Sequence, residues 1–250
     1  MIAMLRSTLH MAFMFVTVIP YTLCILLARV LGAKGNVRYG FAQKWLTLSI
    51  DAARVLMGIR YHVQGQENLP LGETSPAILL VKHQSTYETF LMPAIMPHPL
   101  AYVFKKELLY VPFFGWSIGS LDMIHIDRSQ RAQAFNKVVT QGQRLLDQGT
   151  WVIMFPEGTR VDRGEQGVYK TGGTRLAIAT GAPVIPVAVN SATCWPRKAL
   201  IKRPGVVTFS IGPAIPSQGR QPEELMQAVE AWIETEMRRL DPEAYAVTAA

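Results

Sequence analysis

From residue 7 to residue 28, between Arg6 and Arg29, the chain contains no Asp, Glu, Lys or Arg. Twenty-two such residues, read as a helix, extend about 33 Å, roughly the hydrocarbon thickness of a bilayer. Pro20 interrupts the core of the run, MAFMFVTVIPYTLCILLA (11–28), a kink that lipid-embedded helices tolerate. A cleaved signal peptide has a shorter apolar stretch, and VLGAK is a poor cleavage site. The run therefore predicts a membrane helix, spanning or re-entrant, with a buried core helix as the alternative. The next segment, FAQKWLTLSIDAARVLMGI (41–59), has helical periodicity. Phe41, Trp45, Leu48, Ala52, Val55, Leu56 and Ile59 form one apolar stripe, and Leu46, Ile50 and Met57 a second. Such a helix is expected either between two partners, the first helix or lipid on one side and the globular part on the other, or as a buried core helix.

Charge supports a lipid surface. The net charge is +7, and residues 1–66 carry +6 of it, with seven Lys/Arg against Asp51 alone. A nucleic-acid binder places its basic excess on a folded recognition surface, whereas here it brackets the most apolar segment. Anionic membrane lipid is the expected partner, and nucleic acid is not. Only 17% of the 250 residues are charged, below the ~25% usual for soluble domains. The basic residues after the first helix (Arg29, Lys34, Arg38, Lys44) predict that the remainder is cytoplasmic. Cys24 and Cys194 match no metal spacing and no disulfide framework, as in a reducing compartment.

From residue 77 apolar runs alternate with helical patterns. Strands are expected at 77–81, 101–105, 122–126, 151–155, 183–189 and 206–211, and helices at 86–96, 130–147, 172–180 and 222–240. This predicts an α/β fold, a central and largely parallel sheet flanked by helices, beside the N-terminal membrane-associated helices. The expected organisation is 1–66 helical, 67–240 α/β domain and 241–250 frayed tail. The sequence has no Gly-rich phosphate loop, dinucleotide fingerprint or clustered metal ligands, so no metal is expected.

The segment KHQSTYE (82–88) supports two readings. In one, Ser85 and Glu88 form a capping box at a helix start, and His83 has no task. In the other, His83 precedes the helix, and Glu88 in its first turn folds back onto the imidazole. The carboxylate then fixes the tautomer, and the free ring nitrogen takes a proton from a substrate hydroxyl. Ser85 as a nucleophile is weaker, because no G-x-S-x-G elbow surrounds it. Two cationic turns follow other strands. FPEGTR (155–160) offers Thr159 and the planar fork of Arg160, suited to phosphate, and FKKELLYVPFFGW (104–116) offers Lys105 and Lys106 before an apolar loop. All three turns could share the rim where open α/β sheets bind ligands.

KHQSTYE, FKKELLYVPFFGW, FPEGTR and APVIPVAV (182–189), in this order, resemble the glycerolipid acyltransferases, and within them the bacterial lysophosphatidic acid acyltransferases. IDR (126–128) and YKTG (169–172) also sit where the family has similar segments, and the likeness spans about residues 40–215. The resemblance implies acyl transfer from a coenzyme A or acyl-carrier-protein thioester to the hydroxyl of lysophosphatidic acid, giving phosphatidic acid, without a cofactor. It implies His83 as general base, with Glu88 where the family usually has Asp. That residue is one methylene longer and must alter the helix start or its own conformation. It further implies Lys105, Glu157, Gly158, Thr159 and Arg160 at the acceptor-phosphate site, and a bacterial inner-membrane location with the catalytic domain on the cytoplasmic face. Other lyso-lipid acceptors, a lipid hydrolase and a non-catalytic lipid binder are the competing functions.

Overall fold

A computed structural model of the chain describes residues 1–70, 72, 75–127 and 131–246. Seven strands form one sheet: β1 (Ile59–Gln64), β2 (Ile78–Val81), β3 (Leu100–Lys105), β4 (Ile124–Ile126), β5 (Trp151–Met154), β6 (Val184–Val189) and β7 (Gly205–Ile211). Their order is β1-β7-β6-β2-β5-β3-β4, with every neighbouring pair parallel except β6 and β7. β2, β5 and β6 lie in the interior of the sheet, and ILLV, WVI and VIPVAV are buried on both faces. That explains why they read as continuous apolar runs rather than alternating ones.

Helices cover both faces. Helices α1 (Ile2–Val30), α2 (Gly35–Met57) and α3 (Tyr87–Ile95) pack on one side, where Trp45, Met57, Tyr87 and Leu91 meet Leu79, Val81 and Ile153. A short helix, α4 (Phe114–Ile118), lies beside α1. Helices α5 (Arg131–Asp147), α6 (Gly172–Thr180) and α7 (Pro222–Leu240) cover the other side, where Leu145, Leu176, Val229 and Ile233 meet Ile78, Leu80 and Val184. The expected α/β architecture is thus present. The expected strand at 122–126 begins at Ile124, and Arg128 of IDR lies outside the described residues.

Two expectations are corrected. First, the sheet begins before residue 67. Gly58, at φ 70°, ends α2 in the left-handed conformation, and Ile59, expected on the helix stripe, starts edge strand β1 against β7. Val55 of that stripe is exposed. Second, the segment from 241 does not simply fray. Buried Asp241 accepts two bonds of 2.7 Å from Arg163, and Pro242–Tyr245 form helix α8. Residues 247–250 lie outside the described residues.

Helix α1 is docked along its length. Ser7 Oγ accepts from the Lys202 amide at 2.9 Å, His10 Nε2 lies 2.9 Å from the Ser49 carbonyl, and Thr22 bonds Ser117 at 2.8 Å. Near the helix end, Arg29 donates to the Gly119 carbonyl at 3.1 Å. The opposite face leaves Leu5, Leu9, Phe15, Val16, Leu23 and Leu27 at least half exposed. The helix therefore carries one polar-dotted side for the protein and one apolar side with no protein partner among the described residues.

Candidate active site

Strand β2 ends at Val81, and the chain turns through 82–86 into α3. His83 Nδ1 lies 2.9 Å from Glu88 Oε1. The same oxygen accepts the amide hydrogens of Gln84, at 2.8 Å, and Ser85, at 2.6 Å. Its mate Oε2 accepts from Ser191 Oγ at 2.7 Å. The capping and pairing readings are therefore simultaneous rather than exclusive. One half of the expected capping box is absent: Ser85 Oγ accepts from the Tyr87 amide at 3.0 Å, not from that of Glu88. With its hydroxyl so engaged and the residue fully buried, Ser85 is no exposed nucleophile.

Glu88 is buried and His83 is mostly so, with 12% of its side chain exposed. The imidazole stacks on Phe155 at a centroid distance of 3.8 Å and 16° between planes. Carboxylate and aromatic face together fix the position and plane of the ring. With Nδ1 held, Nε2 is the nitrogen left for a reacting group.

His83 opens into a cavity of about 910 Å³, near the top of the usual ~300–1,000 Å³ range for ligand pockets. Its wall carries two kinds of side chain. Val18, Tyr21 and Ile25 of α1, Trp45 and Leu46 of α2, and Phe90 and Phe114 are among its apolar lining. Lys105, Arg160, Lys170, Arg197 and Lys198 add cationic groups to the same lining, with the Thr159 hydroxyl and His83. Such a lining takes a molecule with a hydrocarbon chain and an anionic head. Arg160 Nε is buried and finds no acceptor among the described residues, leaving part of its fork available to an anion.

The structure brings His83, Glu88, Lys105, Gly158, Thr159 and Arg160 together. Gly158 adopts φ 68°, the left-handed conformation that the tight FPEGTR turn demands. Lys106 turns away to Asp127, at 3.8 Å. Glu157 is the correction: it is 3% exposed, does not line the cavity, and faces Lys82 at 3.4 Å. Burial raises its pKa to about 7 against the opposing charge of Lys82. The reason is local. The turn that sends Gly158–Arg160 toward the cavity sends the preceding side chain beneath it.

Sequence reasoning missed Ser191, Lys170, Arg197 and Lys198. Arg197 donates to the Arg160 carbonyl, bracing the FPEGTR turn, and lies 3.7 Å from Asp162. Lys198 has φ 58°, unusual for a side chain with a Cβ. The visible signal was WPRK (195–198), a proline-marked cationic turn soon after β6, as FPEGTR follows β5.

Residues 60–190, which include every expected site residue, match the family model described as Acyltransferase. The chain is 42% identical to the 1-acyl-sn-glycerol-3-phosphate acyltransferase of Pseudomonas aeruginosa, over 88% of this chain and 85% of the relative. It is 29% identical to the mouse 1-acyl-sn-glycerol-3-phosphate acyltransferase alpha, over 73% of this chain and 64% of that protein. The crystal structure of the 1-acyl-sn-glycerophosphate (LPA) acyltransferase PlsC from Thermotoga maritima superposes with a TM-score of 0.78, covering 95% of each chain at 24% identity, a likeness of fold.

Proposed function

The chain belongs to the acyltransferase family, and on that premise we propose that His83, held by Glu88, is the general base of its reaction. The protein is an O-acyltransferase that moves a fatty acyl group from a thioester to the free hydroxyl of 1-acylglycerol-3-phosphate, giving phosphatidic acid. The acceptor hydroxyl attacks the thioester carbonyl while its proton passes to His83 Nε2. The tetrahedral intermediate collapses, and the imidazolium returns the proton to the departing thiolate. Glu88 stabilises the imidazolium meanwhile. A thioester is already an activated donor, so no covalent acyl-enzyme and no cofactor is required.

The observation that carries this reading is the mixed lining of one cavity: His83 shares it with Lys105 and Arg160, whose Nε finds no acceptor among the described residues, and with apolar side chains of α1 and α2. Lys105 and Arg160 take the acceptor phosphate, with Thr159 and the Gly158 backbone beside them. The acyl chain lies among α1 and α2 residues. The donor thiol is carried by coenzyme A or acyl-carrier protein. Release of thiol and formation of phosphatidic acid, measured together over a matrix of lyso-lipid acceptors and both donors, test the reading. Equal rates with phosphate-free monoacylglycerol would contradict it.

The protein is membrane-associated, and we place its apolar α1 face against anionic lipid. A helix bonded to the globular part near both ends, at Ser7 and Arg29, presents its long side to the bilayer rather than threading away from the domain. The basic residues of α1 and α2 favour the cytoplasmic leaflet of the bacterial inner membrane.

A further inference from the structure

Beneath the His83 turn lies a buried charged cluster that the reaction as described does not use. Lys82 is fully buried, an arrangement that costs several kcal/mol per ion unless the charge is paired and bonded. Its Nζ donates to Glu234 Oε1 at 2.6 Å and to the Glu165 carbonyl at 3.1 Å, and lies 3.4 Å from Glu157 Oε1. Tyr169 donates its hydroxyl to the same Glu234 oxygen at 2.7 Å. Glu234 sits on α7, on the face of the sheet opposite α1, α2 and α3.

Side chains alternate along a strand. Leu79 and Val81 enter the core shared with α2 and α3, and Ile78 and Leu80 enter the core shared with α7. Lys82 continues β2, with its amide bonded to the Val187 carbonyl at 2.9 Å, and its side chain follows the second set down to α7. The next residue, His83, faces the cavity. Fixing Lys82 from below thus fixes the strand end from which the imidazole projects. The same turn is held again through its backbone: the His83 carbonyl accepts from the Val161 amide at 2.8 Å, and the His83 amide lies 3.4 Å from Glu157 Oε1.

We propose that Glu234, bonded to Lys82 across the sheet, is a positioning residue for His83, setting the height of the imidazole in the cavity without touching substrate. The proposal rests on His83 being the base. Its logic is geometric: a base displaced by ~1 Å can lose about a hundredfold in rate, and a charged pair holds a strand end more strictly than apolar packing does.

The test uses the full-length protein in detergent micelles, with kcat, both KM values and Tm measured for each variant. Lys82→Met/Glu234→Leu replaces the pair with apolar side chains of similar bulk, so the fold is expected to survive. Its kcat should fall about tenfold or more while both KM values stay within about twofold, the signature of a lost transition-state interaction. Glu234→Asp keeps the charge but shortens the reach, and should lower kcat about threefold or more while both KM values stay within about twofold. It serves as the deciding variant if the double replacement does not fold. Full turnover in the folded double variant, or in Glu234→Asp, overturns the proposal. His83→Ala is run alongside. Normal turnover there would remove the base itself, whereas an inactive His83→Ala beside fully active Glu234 variants would remove only the positioning role.

Discussion

Glu88 holds His83 through one carboxylate oxygen, Oε1, 2.9 Å from the imidazole Nδ1, and that oxygen also takes the Gln84 and Ser85 amide hydrogens. The residue is therefore both the helix-start cap and the partner of the base. The extra methylene of Glu over Asp is accommodated by this folding back, with Ser191 fixing the second oxygen at 2.7 Å.

Separating the two roles gives the first prediction. Glu88→Gln retains an amide oxygen for the Gln84 and Ser85 hydrogens but removes the charge facing the imidazolium. Tm should change little while kcat falls by about a hundredfold, the scale of general-base assistance. His83→Ala should lose at least as much. Glu88→Asp should retain partial activity, because the shorter carboxylate cannot reach all four donors. If Glu88→Gln matched the native kcat throughout its pH profile, only the capping role would remain.

Arg160 is tested by its acceptor. Arg160→Lys keeps a charge but loses the planar fork, so KM for lysophosphatidic acid should rise about tenfold while the donor KM hardly moves. Phosphate-free monoacylglycerol should be a poor acceptor and indifferent to the change. Equal losses on both acceptors would reassign Arg160 to the scaffold.

Glu157 makes an opposite prediction from its neighbour in sequence. Its folded pKa is raised from 4.5 to about 7, chiefly by burial. Between those values the folded state holds a proton that the unfolded state has released. The resulting stabilisation is complete below the unfolded pKa and disappears as pH rises through 7, an effect of up to a few kcal/mol. Glu157→Gln should flatten the dependence, so its Tm relative to the native chain should improve from pH 5 to pH 8. The acceptor KM should stay within about twofold, since this side chain is absent from the cavity wall. A Tm difference constant with pH, or a sharply raised KM, would contradict the assignment.

The exposed face of α1 predicts where membrane affinity resides. Phe15→Ser, Val16→Ser and Leu23→Ser combined remove side chains 68%, 67% and 56% exposed, so Tm should hold. Binding to anionic vesicles should weaken at least about tenfold, given ~25 cal/mol for each Å² of apolar surface removed from water. Deleting residues 1–30 should do more, because Val18, Tyr21 and Ile25 also line the cavity. Its activity should fall even with a short-chain, water-soluble acceptor. Unchanged vesicle binding by the triple variant would put the anchor on another surface.

The alternation of apolar runs and helical stripes was legible without coordinates, because strand and helix periods are local properties. Helices 172–180 and 222–240 coincide with α6 and α7 for that reason. The His83–Glu88 pair was legible too, since a strand-to-helix turn can close on itself within five residues. Other features depended on partners far along the chain. Strand β1 has its ladder with β7, some 146 residues away at Ile59 and Gly205, and its own six residues carry only a weak signal. Ser191 reaches Glu88 across 103 positions, and Arg197 reaches the Arg160 carbonyl across 37. The sequence grouped Glu157 with Gly158, Thr159 and Arg160, but the turn's backbone directs the first inward and the others toward the cavity. Along α1, Ser7, His10 and Thr22 stood in plain view within an apolar helix. Composition cannot distinguish a side that meets lipid from one that meets protein, because both environments exclude water. Only the placement of Lys202, Ser49 and Ser117 opposite those side chains decided which face was docked.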